Sequence, residues 1–472
     1  MDKFIGRQQE QQQLADCLAS GQPEFVVIYG RRRIGKTFLV RQFFNDKFDF
    51  SYVGAHHFSQ EEQLENFAEA LCRHGLSSIP PRLDNWREAF RHLQELLERK
   101  PKNRRKVVFI DEMPWIDTHR SDFVRALENF WNGWGAQRDD LCFIACGSST
   151  SWMVDKIVMN QGGLHNRMTR QIYLRPFTLR ETEEYLQSKQ CQWDRLQTLQ
   201  CYMTVGGVPY YLSRMDPRKS LAQNIDQLFF ARNAPLSMEF DELYNALFNN
   251  ADKYITIVRT LAGHREGLSK QEIAGHTGIS GGWLTRMLTN LERCDFIMSY
   301  NRFGSRQNNT IFRLTDFYTL FYFKFIEGRS NNDEHFWTHL LQSPAISSWQ
   351  GHTFETVGLT HLQQIKQGLQ IGGILAQAST WRSKDKEHHY QIDLLIDRAD
   401  RIINLCEMKF STDRFIIDKD YRQRLSDRRA WFAYETRTRK SPVITFITTF
   451  GIMPNQYADV AQSQLTMDSL FV

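Results

Sequence analysis

The residues best suited to chemistry lie in a glycine-bounded loop near the start of the chain. The apolar run Phe25–Tyr29 before the loop predicts a buried strand, and Phe38–Phe44 after it predicts a helix. The pattern GxxxxGK(S/T) between them would bring backbone N–H groups, a lysine and a hydroxyl onto nucleotide phosphates and Mg²⁺. The expected cofactor-binding residues are Gly30, Arg31, Arg32, Arg33, Ile34, Gly35, Lys36 and Thr37, and Thr37 is also an expected Mg²⁺ ligand.

Two acids follow a second apolar run, Val107–Ile110, which predicts another buried strand. Open α/β sheets bind their ligands at the carboxyl ends of their strands, where both acids would lie. In an enzyme with such a phosphate loop, Asp111 would bind Mg²⁺ and contribute to nucleotide binding, and Glu112 would orient or activate the attacking water. The loop and the acid pair together predict binding and hydrolysis of ATP.

A third buried strand is predicted over Leu141–Cys146 and is followed by the small residues Gly147-Ser-Ser-Thr-Ser151. Ser148 could contact the γ-phosphate of the nucleotide. The same hydroxyl residues could equally cap a helix that begins before Trp152. The sequence leaves both interpretations open.

A different set of candidates lies near the carboxyl terminus, on two strand-like runs at 391–397 and 402–410. Glu407 and Lys409 are two positions apart on one strand and therefore face the same side, where Asp393 of the preceding strand can meet them. Such a set suits metal-assisted hydrolysis of a phosphodiester: Asp393 and Glu407 would bind Mg²⁺ or Mn²⁺, and Lys409 would position water or stabilise phosphoryl charge. Acids and a lysine on a solvated edge hairpin would give the same pattern.

The middle of the chain predicts three short helices, with a glycine turn between the second and third, followed by a hairpin. This order is typical of a winged helix. Its basic residues could neutralise DNA phosphates: Lys270, Arg286, Arg293, Arg302 and Arg306. Because Glu272, Glu292 and Asp295 dilute the charge of this face, a protein-contact or switch role stays open.

Composition limits the classes of protein to consider. The chain has 472 residues, a formal net charge of +5 and eight cysteines, none of them in a CxxC pair. The length allows about three domains, and the mild positive charge permits a nucleic-acid partner without requiring one. Scattered cysteines are typical of a reducing cytoplasm. No run approaches the roughly 20 apolar residues of a membrane span, so we expect a cytoplasmic protein without membrane contact.

Taken in order, several motifs resemble those of prokaryotic AAA+/STAND-like ATPases of the archaeal type. These are Phe4-Ile-Gly-Arg7 with Glu10, the phosphate loop, Ile110-Asp-Glu112, Gly147-Ser-Ser149, Leu174-Arg-Pro-Phe177 with Glu181, and Gly206–Leu212. The resemblance implies a helical lid after Pro176. It also implies that Arg167 acts near the γ-phosphate of its own or a neighbouring protomer, which makes a homo-oligomer or protein partner compatible with the sequence. A surface role for Arg167 is the alternative.

The C-terminal block resembles the PD-(D/E)xK nuclease fold found on this ATPase family. The resemblance matches Glu355 to the glutamate that the family carries on a helix, Asp393 to its metal-binding aspartate, and Glu407 and Lys409 to its ExK pair. It implies that Glu355, Asp393 and Glu407 bind the metal.

The expected fold is therefore α/β, in four parts. A P-loop NTPase domain would span 1–175, a helical lid 176–235, a winged helix 236–330, and an α/β restriction-endonuclease-like domain 331–472. The sequence favours an ATPase that acts on DNA and controls a Mg²⁺-dependent nuclease. The alternatives are a STAND-like regulatory switch with a non-catalytic nuclease-like binding domain and, less favoured, a chaperone-like ATPase that acts on protein.

Overall fold

The computed structural model describes residues 4–160, 162–304, 310–329, 333–385 and 389–472. The chain divides into two compact units, Met1–Arg175 and Pro176–Val472. Within the described ranges, no helix is both long and apolar enough to cross a membrane.

The first unit is built on a parallel sheet of five strands in the order β2-β3-β4-β1-β5. The strands are β1 Glu24–Tyr29, β2 Phe50–Val53, β3 Lys106–Asp111, β4 Leu141–Gly147 and β5 Arg170–Tyr173. The two central apolar runs, β3 and β4, are buried along their whole length, because helices cover both faces of the sheet. β4 pairs with both β1 and β3. The loops that follow these three strands therefore leave the same edge of the sheet.

The described residues of this unit form seven α-helices: α1 Gln8–Ala19, α2 Lys36–Phe43, α3 Gln60–Arg73, α4 Trp86–Glu98, α5 Met113–Ile116, α6 Phe123–Gly133 and α7 Thr150–Trp152. The last of them continues into a π-helical stretch, Met153–Val158. The α/β fold with a parallel sheet is confirmed for this part of the chain, and the expected helix α2 directly follows the phosphate loop.

The second unit contains thirteen α-helices and eight strands among the described residues. Its helices are α8 Leu179–Ser188, α9 Arg195–Val205, α10 Pro209–Leu212, α11 Leu221–Ile225, α12 Glu239–Leu247, α13 Ala251–Ala262, α14 Lys270–Thr277, α15 Gly281–Arg293, α16 Phe317–Phe325, α17 Phe336–Leu340, α18 Pro344–Thr360, α19 Leu362–Gly368 and α20 Lys419–Thr436. Its strands are β6 Leu268–Ser269, β7 Ile297–Asn301, β8 Thr310–Leu314, β9 Ala376–Arg382, β10 Gln391–Arg398, β11 Ile402–Lys409, β12 Ser441–Thr448 and β13 Ser463–Thr466.

The middle of this unit contains the three helices α13, α14 and α15 and a small sheet in the order β6-β8-β7. Gly278 and Gly281, with φ of +70° and +67°, form the turn between α14 and α15, a conformation that glycine adopts without steric cost. The elements occur in the expected order, and the winged-helix interpretation stays a prediction. Arg306 lies outside the described residues.

The start of the expected wing, directly after β7, lies against the C-terminal sheet. Arg302 forms a β-bridge with Thr380 of β9, and the Phe303 N–H donates to the Thr380 carbonyl oxygen at 2.7 Å. The Phe303 ring packs on Phe432 of α20 at 5.2 Å between ring centroids. Arg302, expected to face DNA, is therefore half-buried next to an edge strand.

The C-terminal sheet has the order β13-β12-β11-β10-β9. β9, β10 and β11 pair antiparallel, whereas β11, β12 and β13 pair parallel, with α20 crossing between β11 and β12. The pair Leu394↔Cys406 fixes the register of β10 on β11, and one further step sets Asp393 opposite Glu407. Helix α18 lies so close to β11 that a Cβ at Gly358 would overlap the Met408 sulfur. The restriction-endonuclease-like interpretation of this sheet stays a prediction.

Candidate functional site

The phosphate loop curls around its own lysine. Lys36 is buried, and its Nζ donates to the carbonyl oxygens of Gly30 and Arg31, both at 2.9 Å. Gly30, Arg33 and Gly35 have φ of +148°, +75° and +86°, and a Cβ at Gly30 would overlap the Leu174 carbonyl oxygen. A left-handed arginine between two such glycines is costly backbone that the surrounding structure holds in place.

The remaining loop residues differ in exposure. Arg31 and Ile34 are buried, whereas Arg32 and Thr37 are half-buried. Ile34 packs with Val26 and Leu39 beneath the loop. A contact that the sequence did not assign anchors the loop from outside: the guanidinium of Arg7, at the start of α1, donates to the Ile34 carbonyl oxygen at 3.3 Å.

The first acid of the pair lies against the loop hydroxyl. Thr37 Oγ1 donates to Asp111 Oδ2 at 2.6 Å, and the other carboxylate oxygen accepts the Glu112 N–H at 2.9 Å. Asp111 is 1% exposed. A hydroxyl and a carboxylate oxygen side by side are hard ligands of the kind that Mg²⁺ takes, so the residues present at this point fit the expected ion.

The second acid is held by the strand next to it. Glu112 has a left-handed backbone with φ of +48°, and its carboxylate accepts the Ser148 N–H at 3.1 Å and the Ser148 hydroxyl at 2.6 Å. Ser149, the N-cap residue of α7, makes no side-chain capping bond to the described residues. Gly54 leaves room behind Glu112, because a Cβ there would lie 2.6 Å from the Glu112 carbonyl oxygen.

Arg167 does not join this group. It is exposed in a turn that leads into β5. Two residues later, the Thr169 N–H donates to the carbonyl oxygen of Phe25, near the amino end of β1. The phosphate loop leaves the other end of β1, so within the chain Arg167 lies near the opposite edge of the sheet.

Residues 4–215 match the model of a family described as an ATPase domain predominantly from Archaea. This segment is an archaeal-type ATPase domain.

The solved structure of a Walker-type ATPase supports a P-loop ATPase fold for part of the chain. An uncharacterized protein of Methanocaldococcus jannaschii is 24% identical over 329 residues, which cover 68% of this chain and 69% of the relative. The Walker-type ATPase of Pyrococcus abyssi superposes with a TM-score of 0.53 at 18% identity, over 68% of this chain and 96% of that one. The ORC2 protein of Aeropyrum pernix gives a TM-score of only 0.40 at 17% identity, over 67% of this chain and 91% of that one.

The second candidate site lies outside the archaeal-type ATPase domain and centres on Glu407, which is 8% exposed. One of its oxygens accepts the Tyr421 hydroxyl and pairs with Lys409 Nζ at 2.9 Å, and the other pairs with the Arg428 guanidinium. Burial alone would raise the pKa of Glu407, but Arg428, Lys409 and the Tyr421 hydrogen bond outweigh burial and lower the pKa to about 2.

The two other expected acids lie nearby. Asp393 accepts a hydrogen bond from Gln391 Nε2 at 2.8 Å, and the Gln391 carbonyl oxygen accepts from Arg428 at 3.2 Å. Glu355 of α18 faces Arg313 of β8 at 3.6 Å. Burial, and then the charge of Asp393, raise the pKa of Glu355 to about 7. The four predicted residues thus share one neighbourhood.

In this structure, the predicted metal ligands are engaged with other side chains. Among the described residues, no group of three or more His, Cys, Asp or Glu side chains is placed to hold one. Both oxygens of Glu407 already accept from hydroxyl or cationic donors, and Glu355 faces Arg313. The metal-binding role of Glu355, Asp393 and Glu407 stays a prediction: Glu407 is paired with Lys409 and Arg428, whereas Asp393 accepts from the neutral Gln391 amide.

The sequence interpretation missed the residues that supply this compensation. Tyr421 and Arg428 lie seven positions apart on α20, which is two helical turns and therefore one face. That spacing was a usable signal for a shared face, although nothing local identified Glu407 as their partner. Arg313, which faces Glu355, lies in a strand of the predicted hairpin, and no sequence pattern indicated this contact.

Proposed function

We propose that this chain hydrolyses ATP in its archaeal-type ATPase domain and uses the nucleotide state to control a second unit that acts on DNA. One observation carries the ATPase part. Thr37, Asp111, Glu112 and Ser148 form a continuous hydrogen-bonded row along the carboxyl edge of the sheet, next to the phosphate loop.

Lys36 and each residue of the row have a role in this proposal. Lys36 turns from the Gly30 and Arg31 carbonyl oxygens to the β- and γ-phosphates. Thr37 and Asp111 would hold Mg²⁺, which supplies charge neutralisation at the phosphoryl group. Glu112 orients the attacking water, and Ser148 fixes the carboxylate that does so.

The position of Arg167 favours one of its two expected roles. Near the sheet edge opposite the phosphate loop, it is badly placed to contact a nucleotide bound by its own chain. Its exposure leaves it accessible to the nucleotide of a neighbouring copy. We therefore propose a homo-oligomer in which Arg167 acts between protomers.

For the C-terminal part we retain the nuclease proposal, supported by Asp393, Glu407 and Lys409 on neighbouring strands and by Glu355 beside them. A second candidate function, a non-catalytic binding module, is supported by the ion pairs of Glu407. Because Glu407 is compensated by Arg428, Lys409 and Tyr421, the domain would serve equally as a non-catalytic binding module within a STAND-like switch.

The ATPase part is tested with Lys36→Ala. We expect titration calorimetry to show at least a 100-fold loss of ATP affinity, because the lysine is the main cation of the loop. Arg41→Ala, which removes an exposed partner of Asp46, is the control and should bind ATP like the wild type. Unchanged binding by Lys36→Ala would contradict the proposal.

The nuclease part is tested by incubating plasmid, linear duplex and single-stranded DNA with the protein in Mg²⁺ or Mn²⁺, with and without ATP. Cleavage by the wild type that Asp393→Ala and Lys409→Ala both abolish would support the nuclease and show whether ATP activates or restrains it. If ATP is hydrolysed and DNA is bound but not cut, the binding-module candidate takes precedence.

A further inference from the structure

A basic cavity lies in the second unit, next to Glu355 but separate from the four predicted nuclease residues. Its volume is about 280 Å³, and it lies between the end of α13, strand β8, and helices α16 and α18. Three of its lining side chains carry positive charge at neutral pH, Arg265, Arg313 and Lys324, whereas burial and the neighbouring arginines lower the pKa of His352 to about 4. Among the described residues that line it there is no aspartate or glutamate.

The cationic side chains of the cavity differ in exposure. Arg265 and Lys324 are exposed at the mouth, whereas Arg313 is 5% exposed. Arg265 contacts the imidazole of His352. Arg313 donates to Thr356 Oγ1 at 3.3 Å and faces Glu355 at 3.6 Å. The Glu355 carboxylate, beside the lining, thus faces the deepest of these cations, and Arg265 and Lys324 lie nearer the surface.

The cavity wall also carries a buried donor. Trp349 is 6% exposed and lines the cavity, and its indole N–H has no acceptor among the described residues. The indole N–H is itself closed off from solvent, so Trp349 contributes to the cavity as a buried aromatic wall.

We propose that this cavity binds a phosphate group of a DNA strand. Exposed arginine and lysine side chains at the mouth attract a phosphate, and a buried arginine fixes it. The walls come from both the predicted winged helix and α18, so the bound phosphate would hold the strand beside Asp393, Glu407 and Lys409. The inference rests on the proposed DNA action and adds the site at which the strand is held.

The test uses the full chain carrying Arg265→Ala with Lys324→Ala. Both side chains are exposed, and the thermal unfolding midpoint checks that the fold is kept. The control, Arg82→Ala with Arg125→Ala, removes the same charge from side chains that are 92% and 87% exposed in the first unit. Fluorescence anisotropy with labelled 20-nucleotide single-stranded and duplex DNA at several NaCl concentrations gives the affinity and its salt dependence.

We expect the cavity variant to bind DNA about 10-fold more weakly at low salt. The slope of log affinity against log salt should fall in magnitude by about 0.7–0.9, the change expected for the loss of one phosphate contact. The control should behave like the wild type. Equal loss in both variants, or no loss in either, would overturn the cavity as the binding site and leave the proposed function standing.

Titration with inorganic pyrophosphate distinguishes a DNA phosphate from a free phosphate compound as the ligand. The titrated protein carries Lys36→Ala, which removes binding at the ATP site. If that protein binds pyrophosphate through Arg265 and Lys324, and the wild type binds no DNA at low salt, the DNA ligand is overturned together with the proposed DNA action.

Discussion

The two acidic centres of this protein hold their carboxylates by opposite means. In the archaeal-type ATPase domain, Asp111 and Glu112 accept hydrogen bonds from hydroxyl and backbone N–H groups, all of them neutral. In the C-terminal sheet, Glu407 is paired with two cations, Lys409 and Arg428. The charge of Asp111 and Glu112 therefore stays available, whereas that of Glu407 is already compensated by cations of the same chain.

The difference shows what makes an acidic site ready for a cation. Neutral donors orient a carboxylate without cancelling its charge, so Asp111 keeps the negative charge that the proposed binding of Mg²⁺ would require. A buried ion pair is strongly coupled, and breaking it leaves an uncompensated charge in a medium of low dielectric constant. An intact acidic motif in the sequence therefore does not by itself distinguish a metal site from a charge-compensated one.

The largest expected effect separates structural from exposed ion pairs. Arg428→Ala leaves Glu407 without one of its buried cations and should lower the free energy of unfolding by roughly 3–5 kcal/mol. Arg422→Ala on the same helix removes an ion pair with Asp459 whose side chains are 40% and 61% exposed, so the free energy of unfolding should change little. Urea denaturation measures both, and equal losses would remove the contrast between the two centres.

The next effect concerns Glu112, whose carboxylate accepts hydrogen bonds from Ser148. Glu112→Gln should lower the rate of ATP hydrolysis about 100-fold with little change in ATP affinity, because an amide accepts the Ser148 hydrogen bond but cannot activate water as a general base. Steady-state hydrolysis and nucleotide titration check the two quantities separately. A parallel loss of affinity would mean that Glu112 supports the loop rather than the water.

A pH dependence follows from Glu355. Its pKa of about 7 in the folded protein lies above the ordinary 4.5, so the folded state binds the proton more tightly than the unfolded state does. The contribution of Glu355 to stability is therefore fully present below about pH 4.5 and is lost as pH rises through 7. Glu355→Gln should remove a loss of about 2 kcal/mol between pH 5 and 8. Urea denaturation in metal-free buffer measures it, and parallel pH profiles would show that Glu355 is not protonated in the fold.

The smallest effect tests how closely the helix that carries Glu355 lies on the sheet. Gly358→Ala puts a Cβ onto the Met408 sulfur and should cost about 1–2 kcal/mol of stability. Gly351→Ala on the same helix meets open space and should stabilise by about 0.5–1 kcal/mol. Thermal unfolding measures both changes, and equal signs would contradict the close contact.

The sequence predicted what is encoded locally. The run that ends in Asp111, the glycine-bounded loop and the position of Glu407 two residues before Lys409 each depend on neighbours along the chain. Long-range pairing was not predictable. No pattern tied Arg428 to Glu407, Arg313 to Glu355 or Phe303 to Thr380, because these contacts depend on how helices and hairpins pack after the strands have formed.

The position of Arg167 is an intermediate case. The family resemblance left its own and a neighbouring nucleotide as alternatives. Only the direction of β5 relative to β1, which pairing in three dimensions determines, places Arg167 near the far edge of the sheet.

The bridge between Arg302 and Thr380 has a consequence for how the chain can be divided. β9 is the last strand of its sheet, and an unpaired outer strand offers its N–H and C=O groups to any other chain. The segment after β7 covers part of that row. A fragment that begins at residue 331 would expose it, so the C-terminal part should aggregate more readily when it is produced without the preceding hairpin.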